Sequence, residues 1–553
     1  MSRPSPQRTM EGRQVQWLAI MFFLFMLVLA FIPAIRSVSG LPWGSVIDFH
    51  RDESFVRALL EGHYGEDPTY LGDHLWYPPL LTWIESALVA ITGLPPSTII
   101  VQMGPYANLL APITFFLMAW YFLGAGHAAL STAAYLFFSV GQEPGYAIAT
   151  YSPRLIPVSF GQVFFYLEII LVDRAFRSTR LMPSLWAGAG AGIAFLAHPA
   201  PALIAVLIFA GYTAVDVIRA FRQGDKAHIR RRISASFLAG AAFLVTTLPI
   251  TWYIIGHYGM HTINRAGFLF TYYALTLHDL GLFLNYNLTF FSIIALLGAW
   301  LVWRRQGQDT MAPGSRRMLL SWLLISLVLF AYSYTVSVLD KHAGLSLPGT
   351  VPTFHFFFYM KATMALFAGI AGWELFAWAW RLVTRTSSCT PLALQPKPAL
   401  VLFSITALAC TLNYPSYATR RDVRLSHNRD RAFLENNPGI EVAETLGTLL
   451  PWGAVVLCEI KHSGWPVLPT ARHVVATEST FGNPYVDQRQ RETDNALLLQ
   501  GMSAPRGDTR GLLEQYGVTN LLVSPEELEQ MPLAHGWFPQ QVFRNDGFVL
   551  LGR

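Results

Sequence analysis

The sequence is short of charge. Only 13% of its 553 residues are Asp, Glu, Lys or Arg, against 53% hydrophobic and 14% aromatic residues. Soluble domains carry roughly 25% charged residues, so a soluble globular protein is excluded as a class. Cysteine is scarcer still. Cys389, Cys410 and Cys458 are scattered, which argues against a disulfide framework and a cysteine-based metal site. No internal repeat of solenoid period occurs, and the only biased tract is the Ser/Thr/Pro-rich loop at 384–398. The net charge of +5 is small, and Arg and Lys collect in loops between apolar runs, so no nucleic acid partner is expected.

What the chain does have is apolar runs. A helix of about 20 residues crosses the hydrocarbon core, and inside lipid the backbone must satisfy its own hydrogen bonds. The expected fold class is therefore mainly α, a polytopic transmembrane helical bundle. Spans are expected at 15–35, 98–123, 128–142, 158–172, 184–198, 201–218, 234–256, 279–302, 318–338, 357–380 and 399–414. The first run follows Arg3, Arg8 and Arg13. It is too long for a signal-peptide core and lacks a clear small-residue cleavage site, so it is read as a retained span. The segment 79–93 is short for a span and is flanked by prolines. It is assigned to the membrane interface or to a re-entrant helix.

Charge sets the orientation. Arg174, Arg177 and Arg180, then Arg219 to Arg232, then Arg304 to Arg317, then Arg381 to Lys397 form four basic loops that alternate with basic-poor ones. With cytoplasmic loops basic, these four and the N-terminus share the cytoplasmic side only if 79–93 does not cross. About eleven spans then result. The stretch 47–97 becomes the first extracytoplasmic loop, carrying interfacial helices. The expected domains are 1–415, in the membrane, and 416–553, a small extracytoplasmic α/β domain. In the latter, a helix at 441–450, strands at 454–460 and 472–476, a helix near 486–500, a helix–Gly–strand at 509–523 and a terminal hairpin at Asn545-Asp546-Gly547 are expected.

Polar chemistry concentrates in 47–79. Asp48 opens a helix whose Phe55, Val56, Leu59 and Leu60 form an apolar face suited to lying on the membrane. Asp48 and Asp52 are four apart and share a side, with His50 and Arg51 beside them. Asp48 is a candidate base for an acceptor hydroxyl or a helix cap. Asp52 and Glu53 read more readily as solvated or structural groups. Asp73, His74, Trp76 and Tyr77 suit an interfacial anchor or sugar stacking. His63 and His74 lack a tight metal-ligand spacing. Further along, Glu143 and Arg154 lie in another outer loop. His198 ends a Gly-rich span as a functional group or a cap. His355 and Lys361 open the 357–380 span, where a cation holds a lipid phosphate or simply snorkels. Arg265 and His261 are weaker candidates for that role.

The loop IDFHRDESFVRALLEG, the segment YPPLLTW, the segment LAHPAP and the span FHFFFYMKATMALFAGIAG together resemble the GT-C superfamily of membrane glycosyltransferases. The resemblance implies a polyprenyl-phosphate-linked sugar donor and a glycan, lipid or protein acceptor. It implies transfer on the extracytoplasmic face of a bacterial cytoplasmic membrane, by direct displacement with inversion. It puts the catalytic acid on Asp48, a second acid on Glu143 and the donor-phosphate cation on Lys361. His50, Arg51, Asp52, Asp73, His74, Tyr77, Arg154, His198 and His355 would line the substrate site. The double-acid second-loop motif of several members is missing. So is the tryptophan-rich signature of the oligosaccharyltransferases. No cofactor is specified, and a divalent metal stays open. A transporter or flippase for a lipid-linked glycan is the alternative. Against it, mid-span charges are few and the chain shows no repeated halves.

Overall fold

The computed structural model describes residues 12–138, 147–264, 277–304, 314–345, 347, 349, 351–385, 395–418, 423, 428–505 and 507–553. In chain order the helices are α1 (Arg13–Val38), α2 (Ile47–Leu60), α3 (Leu80–Thr92), α4 (Pro96–Ala107), α5 (Leu110–Leu123), α6 (Ala125–Ala133), α7 (Pro157–Arg177) and α8 (Met182–Ala197). They continue with α9 (Pro199–Arg222), α10 (Lys226–Gly256), α11 (Leu277–Asn287), α12 (Phe290–Arg304), α13 (Ser315–Ala343), α14 (Thr353–Thr384) and α15 (Pro396–Ala418). The expected spans fall on helix over their described residues except at Asn108 and Leu109, His198, and Leu288 and Thr289. Among the described residues seven helical stretches are long and apolar enough to cross a membrane: α1, α4 with α5, α9, α10, α13, α14 and α15. The expected 279–302 span is broken into α11 and α12. The Thr289 hydroxyl takes the Ser292 amide at 3.4 Å and so caps the second piece.

The chain groups into two compact units. One comprises Met1–Val38, Gly104–Thr247 and Thr271–Leu425; the other comprises Ser39–Met103, Leu248–Phe270 and Ser426–Arg553.

The first unit is a helical bundle cemented by aromatic pairs. Phe23 stacks on Phe116 at 4.1 Å, Phe115 on Tyr135 at 4.5 Å, and Phe165 meets Trp322 edge-on at 4.9 Å. Without a hydrophobic drive between helices in lipid, close packing has to supply the association energy. The glycines of α8 serve this. A Cβ on Gly188 would collide with the Ala239 backbone of α10, and one on Gly192 with Thr246. Gly188→Val should therefore abolish folding in detergent, or lower the melting temperature by many degrees. Thermal unfolding checks this against Gly211→Ala, at a glycine with open space around it.

The second unit carries a five-stranded sheet of order β2-β1-β3-β5-β4. Its elements are α16 (Gly439–Leu449), β1 (Val455–Leu457), β2 (His473–Val474), α17 (Gln488–Ser503), α18 (Thr509–Gln515), β3 (Val518–Val523), β4 (Gln540–Arg544) and β5 (Val549–Gly552). β1 pairs in parallel with β2 and β3, while β3–β5 and β4–β5 are antiparallel. The expected helix–Gly–strand motif is present, with Gly517 at φ +64 between α18 and β3. In the terminal hairpin, Asn545 Oδ1 accepts from the Gly547 and Phe548 amides. Gly547 is needed there for space, since a Cβ would strike Pro438.

One expectation fails. α2 does not lie with an apolar face laid open to the membrane. Phe55 and Val56 are buried, and α2 packs against α3 and the 463–470 segment. The helix that keeps an apolar exposed end is α3, with Ile91 80% exposed and Leu94 beyond it 47% exposed. At 13 residues its length is about 20 Å, well short of a hydrocarbon core of about 30 Å.

Candidate active site

The site is built from the turn into α2. A Cβ on Gly44 would strike the Phe49 ring, so glycine lets that ring close over the turn. Ser45 donates its amide at 2.9 Å and its hydroxyl at 2.5 Å to Asp430 Oδ1. His50 Nε2 lies 2.9 Å from the Gly44 carbonyl. These contacts fix the first turn of α2 before any side chain of the site is considered. Val46 is the N-cap residue and makes no side-chain cap bond, so Asp48 is not the helix cap. It lies in the first turn, near the positive end of the helix dipole, with its side chain 33% exposed.

Arg51 organises the carboxylates of this helix. It is 6% exposed. Its Nε and Nη2 donate to Asp52 Oδ1 at 3.0 and 2.8 Å, and its Nη1 lies 3.1 Å from Asp48 Oδ1. Its guanidinium stands 4.0 Å over the Tyr77 ring, which stacks on Phe55 at 5.6 Å. One turn on, Arg57 grips Glu53 Oε1 through Nε at 2.9 Å and Nη2 at 2.7 Å. Asp52 and Glu53 are 3% and 1% exposed, so the solvated reading of these two is wrong. Burial pushes Asp52 up to about 6, with Arg51 pulling the other way and Asp48 adding to the rise. Burial likewise pushes Glu53 up to about 7 against the pull of Arg57.

The other first-loop candidates are engaged elsewhere in the same unit. His50 is buried beside Trp465 and Phe433, and burial pulls it down to about 4, so it is a neutral packed ring. Asp73 is paired with Arg491 at 3.0 Å. The amide of His74 donates to the Tyr258 hydroxyl at 2.7 Å, and its ring lies 3.6 Å from that of His257. His63 pairs with Glu66 and stacks on Trp452. Among the described residues one group has metal-like spacing, Glu459, His462 and Glu527. The ammonium of Lys461 lies 2.7 and 2.8 Å from its two carboxylates and already supplies a positive charge.

The helical unit holds the remaining candidates. His198 caps α9, its Nδ1 accepting from the Ala200 amide at 3.2 Å, and its ring lies 4.5 Å from that of His355. His355 Nδ1 is 3.1 Å from the Pro352 carbonyl. Lys361 is 1% exposed, its ammonium 4.4 Å from the Phe357 ring centroid. The carbonyl of Arg154 accepts from Asn108 at 2.7 Å. His261 belongs to the other unit, where it is exposed beyond the end of α10. Glu143 and Arg265 lie outside the described residues.

Solved structures share this arrangement of elements. ArnT from Cupriavidus metallidurans bound to undecaprenyl phosphate aligns over 96% of this chain and 97% of its own, at 15% identity and a TM-score of 0.55. The oligosaccharyltransferase AglB from Archaeoglobus fulgidus, in complex with an inhibitory peptide and a dolichol-phosphate, aligns over 94% of this chain and 73% of its own, at 12% identity and a TM-score of 0.53. The chain has the GT-C fold. The chain is an integral membrane protein with a helical bundle and a small C-terminal sheet. No family model and no curated protein sequence matches it, so the likeness resides in the fold and not in detectable sequence.

Sequence reasoning missed Glu85 as a site residue. It lies on α3 with no exposure, and among the described residues neither carboxylate oxygen has a hydrogen-bond partner. The available signal was a lone carboxylate within an apolar helix of 13 residues.

Proposed function

We propose that this GT-C chain transfers a sugar from a polyprenyl-phosphate-linked donor to an acceptor on the extracytoplasmic face of a bacterial cytoplasmic membrane, with inversion. The observation that carries the reading is the Asp48–Arg51–Asp52 arrangement on a GT-C fold. A partly exposed carboxylate is aimed by a buried guanidinium, which is itself held by a second carboxylate. Asp48 takes the proton of the acceptor hydroxyl as that oxygen attacks the anomeric carbon. The bond to the donor phosphate breaks, and the lipid phosphate leaves with the bonding pair. A phosphate is already a good leaving group, so the protein has to orient, exclude water and stabilise the departing charge. The family resemblance gives Lys361 the donor phosphate, and His198 and His355 belong to the same unit as Lys361. Glu143 is the second acid.

The neighbours' ligands support a lipid-linked donor: undecaprenyl phosphate in ArnT and dolichol-phosphate in AglB. The four basic loops support a cytoplasmic N-terminus, with 1–415 as the membrane domain and 416–553 outside. The test is radiolabelled sugar transfer from a polyprenyl-phosphate donor by purified protein in nanodiscs. Lys361→Met should raise the donor KM by roughly tenfold or more, the loss expected for one charge-assisted contact of about 1.5–3 kcal/mol. An unchanged donor KM in that variant would remove Lys361 from the role.

A further inference from the structure

Two consecutive helices of the bundle carry the same order of polarity along an exposed face. On α9, Val215, Ile218, Arg219 and Arg222 recur at three- and four-residue steps, so they share a face, and all four are exposed. On α10, Lys226, Arg230, Ile233 and Phe237 do the same, and all four are exposed again. In each stripe the two cations lie next to the connecting turn and the two apolar residues lie further from it. The turn itself is well fixed. Gly224 takes φ +70, and the Asp225 amide returns to the Ala220 carbonyl at 2.9 Å. Away from the turn, Arg232 Nη2 donates to Asp216 at 3.0 Å, and further on the Thr213 and Ser236 hydroxyls lie 3.2 Å apart. The two helices therefore run antiparallel as a hairpin, and both cationic ends meet at its tip.

Nothing within the hairpin neutralises that tip. Asp216 is engaged by the buried Arg232, and Asp225 Oδ1 accepts from the His228 amide at 2.9 Å. Among the described residues Arg219, Arg222, Lys226 and Arg230 make no ion pair. Other basic loops differ. Arg177 is gripped by Asp173, Arg174 stands 5.7 Å over the Tyr121 ring and Arg304 5.0 Å over the Trp300 ring. A phospholipid has the same order as these stripes, apolar chains and then a phosphate. α9 and α10 are long and apolar enough to span a bilayer, so their exposed apolar residues belong against acyl chains. That depth brings the cations that follow to the level of the phosphates.

We propose that the α9–α10 hairpin is a docking site for an anionic phospholipid. Its acyl chains lie along the apolar halves of the two stripes, and Arg219, Arg222, Lys226 and Arg230 hold its headgroup. Charge complementarity selects the class. A zwitterionic headgroup brings an ammonium that offsets its own phosphate, whereas an anionic one leaves net negative charge for four unpaired cations. The proposal does not depend on the transferase reading, because binding is read without turnover.

Native mass spectrometry of the full chain in detergent, titrated with phosphatidylglycerol or with phosphatidylcholine of the same acyl chains, tests it. Phosphatidylglycerol should bind roughly tenfold tighter or more. Arg222→Gln combined with Arg230→Gln should weaken it roughly 25-fold, about fivefold per cation removed, and leave phosphatidylcholine binding unchanged. Both positions are exposed and unpaired, so the melting temperature in detergent alone should match wild type. Should that pair not fold, Arg219→Gln with Lys226→Gln asks the same question. Glycerophosphoglycerol, the headgroup without chains, should fail to displace the lipid at equal concentration. Displacement would mean that the hairpin takes a phosphate anion, and it overturns the assignment to a lipid. Equal affinity for the two lipids overturns it as well. So does an equal loss in Arg304→Gln, which would make the attraction diffuse and not seated on this hairpin.

Discussion

Asp48→Asn lowers sugar transfer by roughly 10²- to 10⁴-fold, the contribution typical of a positioned base, and leaves the protein folded. The two halves of this expectation have separate causes. The side chain is 33% exposed and pairs with Arg51 through one nitrogen, so losing its charge removes only a partly screened ion pair, worth about 1 kcal/mol or less. The turn that carries it is held by Ser45 on Asp430 and His50 on Gly44, and neither contact involves the Asp48 carboxylate. Activity and stability should therefore come apart. Single-turnover transfer and thermal unfolding on the same sample measure both. Full activity in a folded Asp48→Asn chain would remove the residue from its catalytic assignment.

Arg51→Ala is expected to do the opposite and damage both. It strips the buried Asp52 of its cation, and breaking such a pair costs roughly 3–5 kcal/mol. It also withdraws the guanidinium from the Tyr77 ring and frees Asp48 to swing. Arg51→Lys should fall between, because an ammonium cannot copy the fork that holds Asp52 through Nε and Nη2 while Nη1 reaches Asp48. The defect has a pH signature. Asp52 already titrates near 6, raised by burial and lowered by Arg51. Without Arg51 its folded-state pKa rises further above the ordinary value. A raised folded pKa gives stability that is full at low pH and lost as pH climbs through it. The Arg51→Ala chain should thus be closest to wild type near pH 5 and furthest from it near pH 8. A melting curve matching wild type at both ends would show that the guanidinium holds nothing in place.

Much of this is legible in the amino-acid sequence. Apolar runs long enough to span a bilayer can only be helices there, so the bundle follows from composition and period. The soluble sheet follows from short apolar strands and from Gly517 placed between helix and strand. Asp48, Arg51 and Asp52 can be put on one side of a helix because three and four residues make about one turn. The surroundings of that helix cannot be read. The periodicity that fits a helix lying on a membrane fits equally well a helix buried under other chain, and Phe55 and Val56 are covered. The residues that decide between the two, Asp430 and Trp465, are about 400 positions away, and no local pattern reports such a contact. His198 reads equally as a cap or a functional group; the Ala200 amide bond makes it a cap without removing it from the side of His355.

The bond from Ser45 to Asp430 also bears on how the protein is made. Translation delivers the turn into α2 early and its anchor nearly 400 residues later. Until Asp430 has arrived on the same side of the membrane as Ser45, the first loop lacks the acceptor for two of its donors. A half-made chain therefore carries the acidic loop without the fastening that sets its geometry. The setting of the loop's geometry becomes a late event, timed by the arrival of Asp430 rather than by the emergence of the loop itself.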